Sequence, residues 1–116
     1  MVEFTVRQRC LTVSVTGDID SHNASSVREQ IDFKLRGENI QKIIFDFSNL
    51  DFMDSSGIGI IIGRYKIMSA LGGEVCVVAS KPTLRKLLIL SGVHKIAGIY
   101  DSLQEAEKMH GRREII

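Results

Sequence analysis

The chain has 116 residues, with 15 Lys+Arg against 14 Asp+Glu and a formal net charge of +1 at pH 7. That balance argues against a nucleic-acid binder, which normally carries a strong basic excess. With 44% hydrophobic and 25% charged residues, the composition is ordinary for a soluble globular domain, and the length suffices for one core without metal or disulfide staples, so one domain over residues 1–116 is expected.

Val2, Phe4 and Val6 alternate with Glu3, Thr5 and Arg7, and Leu11, Val13 and Val15 alternate with Thr12, Ser14 and Thr16. Period two predicts two half-buried strands, and the short polar link between them predicts an antiparallel hairpin. Residues 17–23 read as a loop of turn and N-cap residues, followed by a helix with Ala24, Val27, Ile31 and Leu35 on one stripe and Gly37 as its stop. Phe33 falls opposite that stripe, where a local packing role is expected. Residues 43–47 form a nearly continuous apolar strand, the pattern of a strand covered on both faces. A loop over residues 49–55 leads into a second helix over about 56–71, ended by Gly72-Gly73. Residues 75–79 predict another buried strand. Pro82 opens a third helix with Leu84, Leu87 and Leu88 inward and Gly92 closing it. Residues 96–100 give a last short strand. Ser102 and Glu105 make a capping-box pattern before a fourth helix carrying Leu103, Ala106 and Met109. The tail at Gly111-Arg112-Arg113-Glu114 is expected to fray.

This order predicts an α/β fold: a mostly parallel mixed sheet of about five strands, with an N-terminal antiparallel hairpin and four helices. No apolar run approaches the roughly 20 residues of a membrane-spanning helix, and the first residues lack a signal-peptide layout. Cys10 and Cys76 stand in no metal or redox spacing and read as reduced thiols, which with the missing export signal points to the cytoplasm.

Ligands of open α/β sheets gather beyond the C-terminal strand ends. Two loops fall there, residues 17–23 and residues 50–57. The second holds Met53-Asp54-Ser55-Ser56-Gly57 and runs straight into a helix. Ser55 or Ser56 can cap that helix. The same free N–H groups and helix dipole also suit a phosphate. In the helix itself, Ile58, Ile61, Ile62 and Tyr65 form one apolar stripe and Ile60, Ile67 and Leu71 another, with Gly59, Gly63 and Ala70 between. A deeply buried helix and an exposed docking face both fit that pattern. Asp54-Ser55-Ser56-Gly57 is not a nucleophile elbow. Of the histidines His22, His94 and His110, only His22 is expected near Ser55, as a solvated loop residue. Arg64, Lys66, Lys81, Arg85, Lys86, Arg112 and Arg113 are scattered and read as solvated faces.

The run Phe52-Met53-Asp54-Ser55-Ser56-Gly57-Ile58-Gly59-Ile60-Ile61-Ile62-Gly63-Arg64-Tyr65-Lys66 resembles the STAS family of anti-sigma factor antagonists. Gly17-Asp18-Ile19-Asp20 resembles the family's Gly-Glu-Leu-Asp loop, and Ser80-Lys81-Pro82 and Leu90-Ser91-Gly92-Val93 match in pattern and position. Two positions depart. Ser21-His22 stands where the family often has paired histidines, and Ser56 stands where the stress-response branch often has threonine. With Gly63-Arg64-Tyr65-Lys66, Ser56 favours the sporulation branch. The resemblance implies a single STAS-like domain that is not an enzyme and uses no metal or cofactor of its own. It implies a phosphoacceptor at Ser55. The implied partners are an anti-sigma factor that is also a serine kinase and supplies ATP, and a metal-dependent serine phosphatase; the protein contacts no nucleic acid or membrane. The partner surface it implies comprises Asp18, Asp20, Ser21, Asp54, Ser55, Ser56, Gly57, Ile58, Gly59, Ile60 and Ile61. The alternatives are a small-ligand or nucleotide-sensing STAS module, or an antagonist in a general stress-response pathway.

Overall fold

A computed structural model describes residues 1–109. The expected frayed tail, with His110, Arg112 and Arg113, lies outside the described residues. The N-terminal alternation forms β1 (Val2–Arg7) and β2 (Cys10–Val15), paired antiparallel with Arg7 opposite Cys10. The two linking residues, Gln8 and Arg9, both have positive φ (52° and 66°). That is the geometry whose twist suits a two-residue hairpin, although neither residue is the glycine or asparagine that adopts it easily. Tertiary contacts hold the turn, since Arg9 O accepts from Gln41 N at 2.8 Å and Arg9 Nε donates to Asn39 O at 3.3 Å.

The apolar runs become β4 (Lys42–Asp46) and β6 (Glu74–Val78), parallel to β2 and to each other, with β7 (Gly98–Tyr100) outside β6. The sheet order is β1-β2-β4-β6-β7, with β1–β2 its antiparallel pair. Ile43, Ile44 and Phe45 of β4 are buried, as are Val75, Cys76, Val77 and Val78 of β6. Continuous burial of successive residues means that both faces are covered.

Two short strands were not expected. β3 (Gly17–Ile19) and β5 (Leu50–Met53) pair in parallel as a separate two-stranded sheet, within segments that read as loops. Their register slips between Gly17 and Asp18, so Asp51 has no partner opposite it. Gly17 takes φ +92° there. Strands of three and four residues, each interrupted by an aspartate, carry too little alternation to reveal themselves.

The helices are α1 (Ala24–Gly37), α2 (Ser55–Ala70), α3 (Pro82–Leu90) and α4 (Leu103–Lys108), with a 3-10 turn at Val93–Lys95 before β7. Their ends follow local chemistry. Past α2, Gly72 (φ +78°) donates to Ser69 O and Gly73 to Met68 O at 2.7 Å, a Schellman closure. At α4, Ser102 Oγ accepts from Glu105 N, while Glu105 Oε1 accepts from Asp101 N, one residue before the expected capping-box donor. α4 ends before Met109, which is 42% exposed rather than part of the helix's buried face. Lys42 is buried, and its ammonium donates to the carbonyls of Ala106 (2.6 Å) and Met109, pinning the end of α4 to the sheet. Cys10 and Cys76 are free thiols on strands that β4 separates. Burial pushes the Cys76 thiol up to about 12, against the opposing effect of Lys42.

α2 is wrapped on most sides. Gly57, Ile58, Ile60, Ile61, Arg64 and Met68 are buried, whereas Ile67 and Leu71 are 39% and 67% exposed. The two apolar stripes therefore do not divide into a core face and a docking face. Ile60 joins the core, and the second stripe breaks after it. Arg64, expected on a solvated face, is instead 7% exposed and lies 3.2 Å from Asp32 of α1. Burial lowers the Arg64 pKa, which Asp32 partly offsets and Arg28 lowers further. Lys81 and Arg85 are also engaged, donating to Leu50 O and Ala79 O at 2.6 Å each. Phe33, expected to pack locally, is 67% exposed.

Gly57 seats α2 on the small sheet. A Cβ there would lie 2.2 Å from Met53 Sδ and 3.3 Å from Ile19 Cγ2. Gly57→Ala should therefore destabilise the fold by about 1–3 kcal/mol in urea titration, despite alanine's better helix propensity. In a Met53→Ala background the same change should cost little. The Asp32–Arg64 pair should behave asymmetrically. Asp32→Ala strands a buried guanidinium and should cost about 1–3 kcal/mol, while Arg64→Met should shift the urea midpoint less, because the Asp32 side chain it leaves is 29% exposed and can turn to water.

Candidate functional site

The β3–β5 pairing decides which residues meet. Ile19 lies opposite Met53, and Asp54 N donates to Ile19 O at 3.2 Å. Asp20 and Asp54, each following its strand, thus leave the same end of the small sheet. Ile19, Leu50 and Met53 are buried beneath it at 1%, 1% and 6% exposure. The two loops singled out in the sequence form one continuous rim.

The first loop is braced from within. Asp20 Oδ1 accepts from His22 N (2.9 Å) and Asn23 N (3.3 Å), and Asp20 N donates to Asn23 Oδ1 at 3.0 Å. Asn23 Nδ2 donates to Asp18 O at 2.8 Å, and Asp20 O accepts from Ala24 N at 2.9 Å to start α1. Asp20 is thus an organising residue, with its carboxylate turned to the loop's own N–H groups. Ser21 and His22 are exposed. The His22 ring is 93% exposed and 3.8 Å from Asp20 Oδ1, and among the described residues no hydrogen bond joins it to Ser55.

At the second loop the cap is neither serine. Asp54, in extended conformation (φ −106°, ψ −167°), is the N-cap of α2, and its carboxylate accepts from Ser56 N at 2.8 Å. Asp54 O accepts from Gly57 N at 3.1 Å. Ser55 is the first helical residue and is exposed, and its hydroxyl makes no hydrogen bond among the described residues. Ser56 is half-buried. Aspartate is as good a cap as serine, and here it leaves the serine hydroxyl free at the positive end of a sixteen-residue helix.

The surroundings of Ser55 are acidic. Asp18 is exposed, Asp51 is 74% exposed, and Asp54 and Asp20 are half-buried. Lys81 lies 3.8 Å from Asp51 and is anchored on the carbonyl of Leu50. Beyond Ser55 the exposed line of α2 runs through Gly59 and Lys66 to Ala70. Four residues of the expected partner surface are not on it. Gly57, Ile58, Ile60 and Ile61 are buried by the sheet and by the neighbouring elements, so their work in this fold is packing. Ile58 keeps 7% of its surface, one turn from Ser55. Asp18, Asp20, Ser21, Asp54, Ser55, Ser56 and Gly59 are exposed or half-buried. Sequence reasoning did not single out Phe52, whose ring is 55% exposed on β5 beside this rim. Its signal was hidden because residues 50–53 read as loop rather than strand.

The family model described as "STAS domain" matches residues 1–106. The chain is similar to the anti-sigma F factor antagonist of Paenibacillus polymyxa, 39% identical over 101 residues that cover 87% of this chain and 86% of that one. Its fold is similar to the anti-sigma factor antagonist SpoIIAA in its unphosphorylated form, with a TM-score of 0.80 and 27% identity over 92% of this chain and 93% of that one. It is also similar to the Bacillus cell fate determinant SpoIIAA in the phosphorylated form, with a TM-score of 0.72 and 27% identity over 92% and 96% of the two chains. With the family model matched over residues 1–106 and the fold similarity alongside it, the chain belongs to the STAS domain family.

Proposed function

We propose that this STAS protein is an anti-sigma factor antagonist, a binding module whose grip on its partner is set by phosphorylation of Ser55. One observation carries the reading. Asp54 caps α2, so an exposed serine hydroxyl stands free at the helix N-terminus, on a rim shared by both loops. The likeness to an anti-sigma F factor antagonist supports the partner class, and the likeness to SpoIIAA solved with and without phosphate supports the switch. Ser56, the Gly63-Arg64-Tyr65-Lys66 run and the anti-sigma F relative favour sporulation-type control over general stress control.

The partner is an anti-sigma factor with serine kinase activity. In the transfer step, Ser55 Oγ attacks the γ-phosphorus of ATP held by the kinase. The bond from that phosphorus to ADP breaks, and the hydroxyl proton passes to a base of the kinase. The His22 ring, 93% exposed beside Asp20, makes no hydrogen bond to Ser55 among the described residues, and the Asp54 carboxylate is engaged with Ser56 N, so the base is assigned to the kinase. A metal-dependent serine phosphatase restores the Ser55 hydroxyl by hydrolysis, with water attacking phosphorus and inorganic phosphate leaving.

The unphosphorylated rim, with Asp18, Asp20, Ser21, Asp54, Ser55, Ser56 and Gly59, suits a partner surface carrying basic groups. Phosphate on Ser55 adds about −1.5 to −2 charges beside the carboxylate of Asp54. First-turn N–H groups can accommodate it in the free protein, so the helix need not unwind. In a closed interface the added bulk and charge oppose docking, where an unpaired buried charge costs several kcal/mol. A Cβ placed on Gly59 would meet nothing within 4 Å, so this glycine leaves room for close approach along the exposed line.

Incubation with ATP and the cognate anti-sigma kinase, followed by peptide mass spectrometry, should place one phosphate on Ser55. Modification of Ser56 instead, or of neither serine, would overturn the assignment. In calorimetric titration against the same kinase, Ser55→Ala should bind about as tightly as the parent and stay bound in ATP. Ser55→Asp should bind at least about tenfold more weakly, a loss of ~1.4 kcal/mol; parental affinity for that variant would exclude charge as the switch.

A further inference from the structure

The two edges of the main sheet differ. β7 is three half-buried residues with α4 against it. β1 is six residues long, pairs with β2 without a bulge, and has no proline or lysine along it. Such an edge lacks the bulge, proline and lysine that commonly block pairing with another strand, and its two exposed charges, Glu3 and Arg7, are opposite in sign. Its hydrogen-bonding phase is fixed by the hairpin. The pair closing the two-residue turn, Arg7–Cys10, exchanges hydrogen bonds, as do Thr5–Thr12 and Glu3–Ser14. The N–H and C=O groups of Val2, Phe4 and Val6 therefore point away from β2, along the free edge.

We infer that β1 is a self-association edge that takes β1 of a second copy of this chain, antiparallel about a two-fold axis at Thr5. The strand is complementary to itself in that register. Glu3 faces Arg7 of the second copy, and Arg7 faces its Glu3. Both are non-hydrogen-bonded pairs, in which side chains come closest. Phe4 faces Val6 of the second copy, an aromatic–β-branched pair of the favourable kind. Moving the axis to Phe4 sets Glu3 against threonine, and moving it to Glu3 sets two carboxylates face to face, so charge selects the axis at Thr5. The exposure fits this occupant. Glu3, Thr5 and Arg7 are exposed, and Val6 is 37% exposed. On the other face, Val2, Phe4 and Phe33 of α1 line a shallow groove in which the Phe33 ring is 67% exposed. A two-fold axis perpendicular to the sheet keeps α1 of both copies on one side, so each groove is flanked by its counterpart. None of these residues belongs to the Ser55 rim, so the inference stands apart from the switch.

Sedimentation velocity of the full chain, from low to high micromolar concentration, should show a mass rising from 12.9 kDa toward twice that value. Glu3→Arg should weaken association by about tenfold, since it turns two attractive pairs repulsive at once, and Arg7→Glu should do the same. The double variant Glu3→Arg/Arg7→Glu should recover parental association. Val6→Pro removes an N–H that points away from β2, and should give a monomer with an unchanged circular dichroism spectrum. A chain that stays monomeric throughout overturns the inference. So does a dimer indifferent to either single reversal, or one that the double reversal does not restore.

Discussion

The short parallel pairing of β3 with β5 is the constraint on which the site depends. It aligns Ile19 with Met53, and so fixes where Asp20 and Asp54 emerge. Three buried apolar side chains, Ile19, Leu50 and Met53, hold it down, and the Asp54 N–H to Ile19 carbonyl bond ties its end to the start of α2. Without that pairing the two loops would be independent surface segments, free to vary in relative position. With it, they make one rim whose centre is the first turn of a helix.

The seating of α2 follows from the same arrangement. A helix that begins directly after the buried end of a strand must bring its first turn close to that end, and Gly57 leaves the space that Met53 fills. Further along, α2 packs against α1 through the Asp32–Arg64 pair, a contact between charged groups in a largely dry setting. Such a pair contributes little net stability compared with apolar packing, but it disfavours any other rotation of the helix because one wrong turn would leave the guanidinium without its partner. The consequence is functional. With Gly57, Ile60, Ile61 and Arg64 turned inward, the outward line of α2 is narrow and runs from Ser55 through Gly59.

Capping and charge then act together at Ser55. Asp54 contributes its carboxylate to the helix N-terminus, where negative charge is favoured, and relieves the serine of that duty. Asp20 does comparable work for its own loop, so these two carboxylates are each held by backbone N–H groups. Ser55, the first residue of α2, is thereby left exposed beside these two carboxylates.

The hairpin, the buried strands and all four helices were legible in the sequence, because periods of two and 3.6 residues report directly which face meets a core. Pro82, Gly72 and Ser102 marked helix ends for reasons local to the backbone. The Met53-Asp54-Ser55-Ser56-Gly57 run marked the start of α2, and with it the candidate site, from local pattern alone. Three matters were decided only in three dimensions. Strands as short as β3 and β5 are stabilised by each other and by the core beneath them, so their pattern is too brief to read. Asp54 and the two serines are all competent caps, and only the extended backbone at Asp54 selects among them. The nearly all-round apolar character of α2 could not say which residues face out, because that depends on how many neighbours surround the helix; the sheet and α1 settle it by burying Ile60 and Arg64 and leaving Ser55 in solvent.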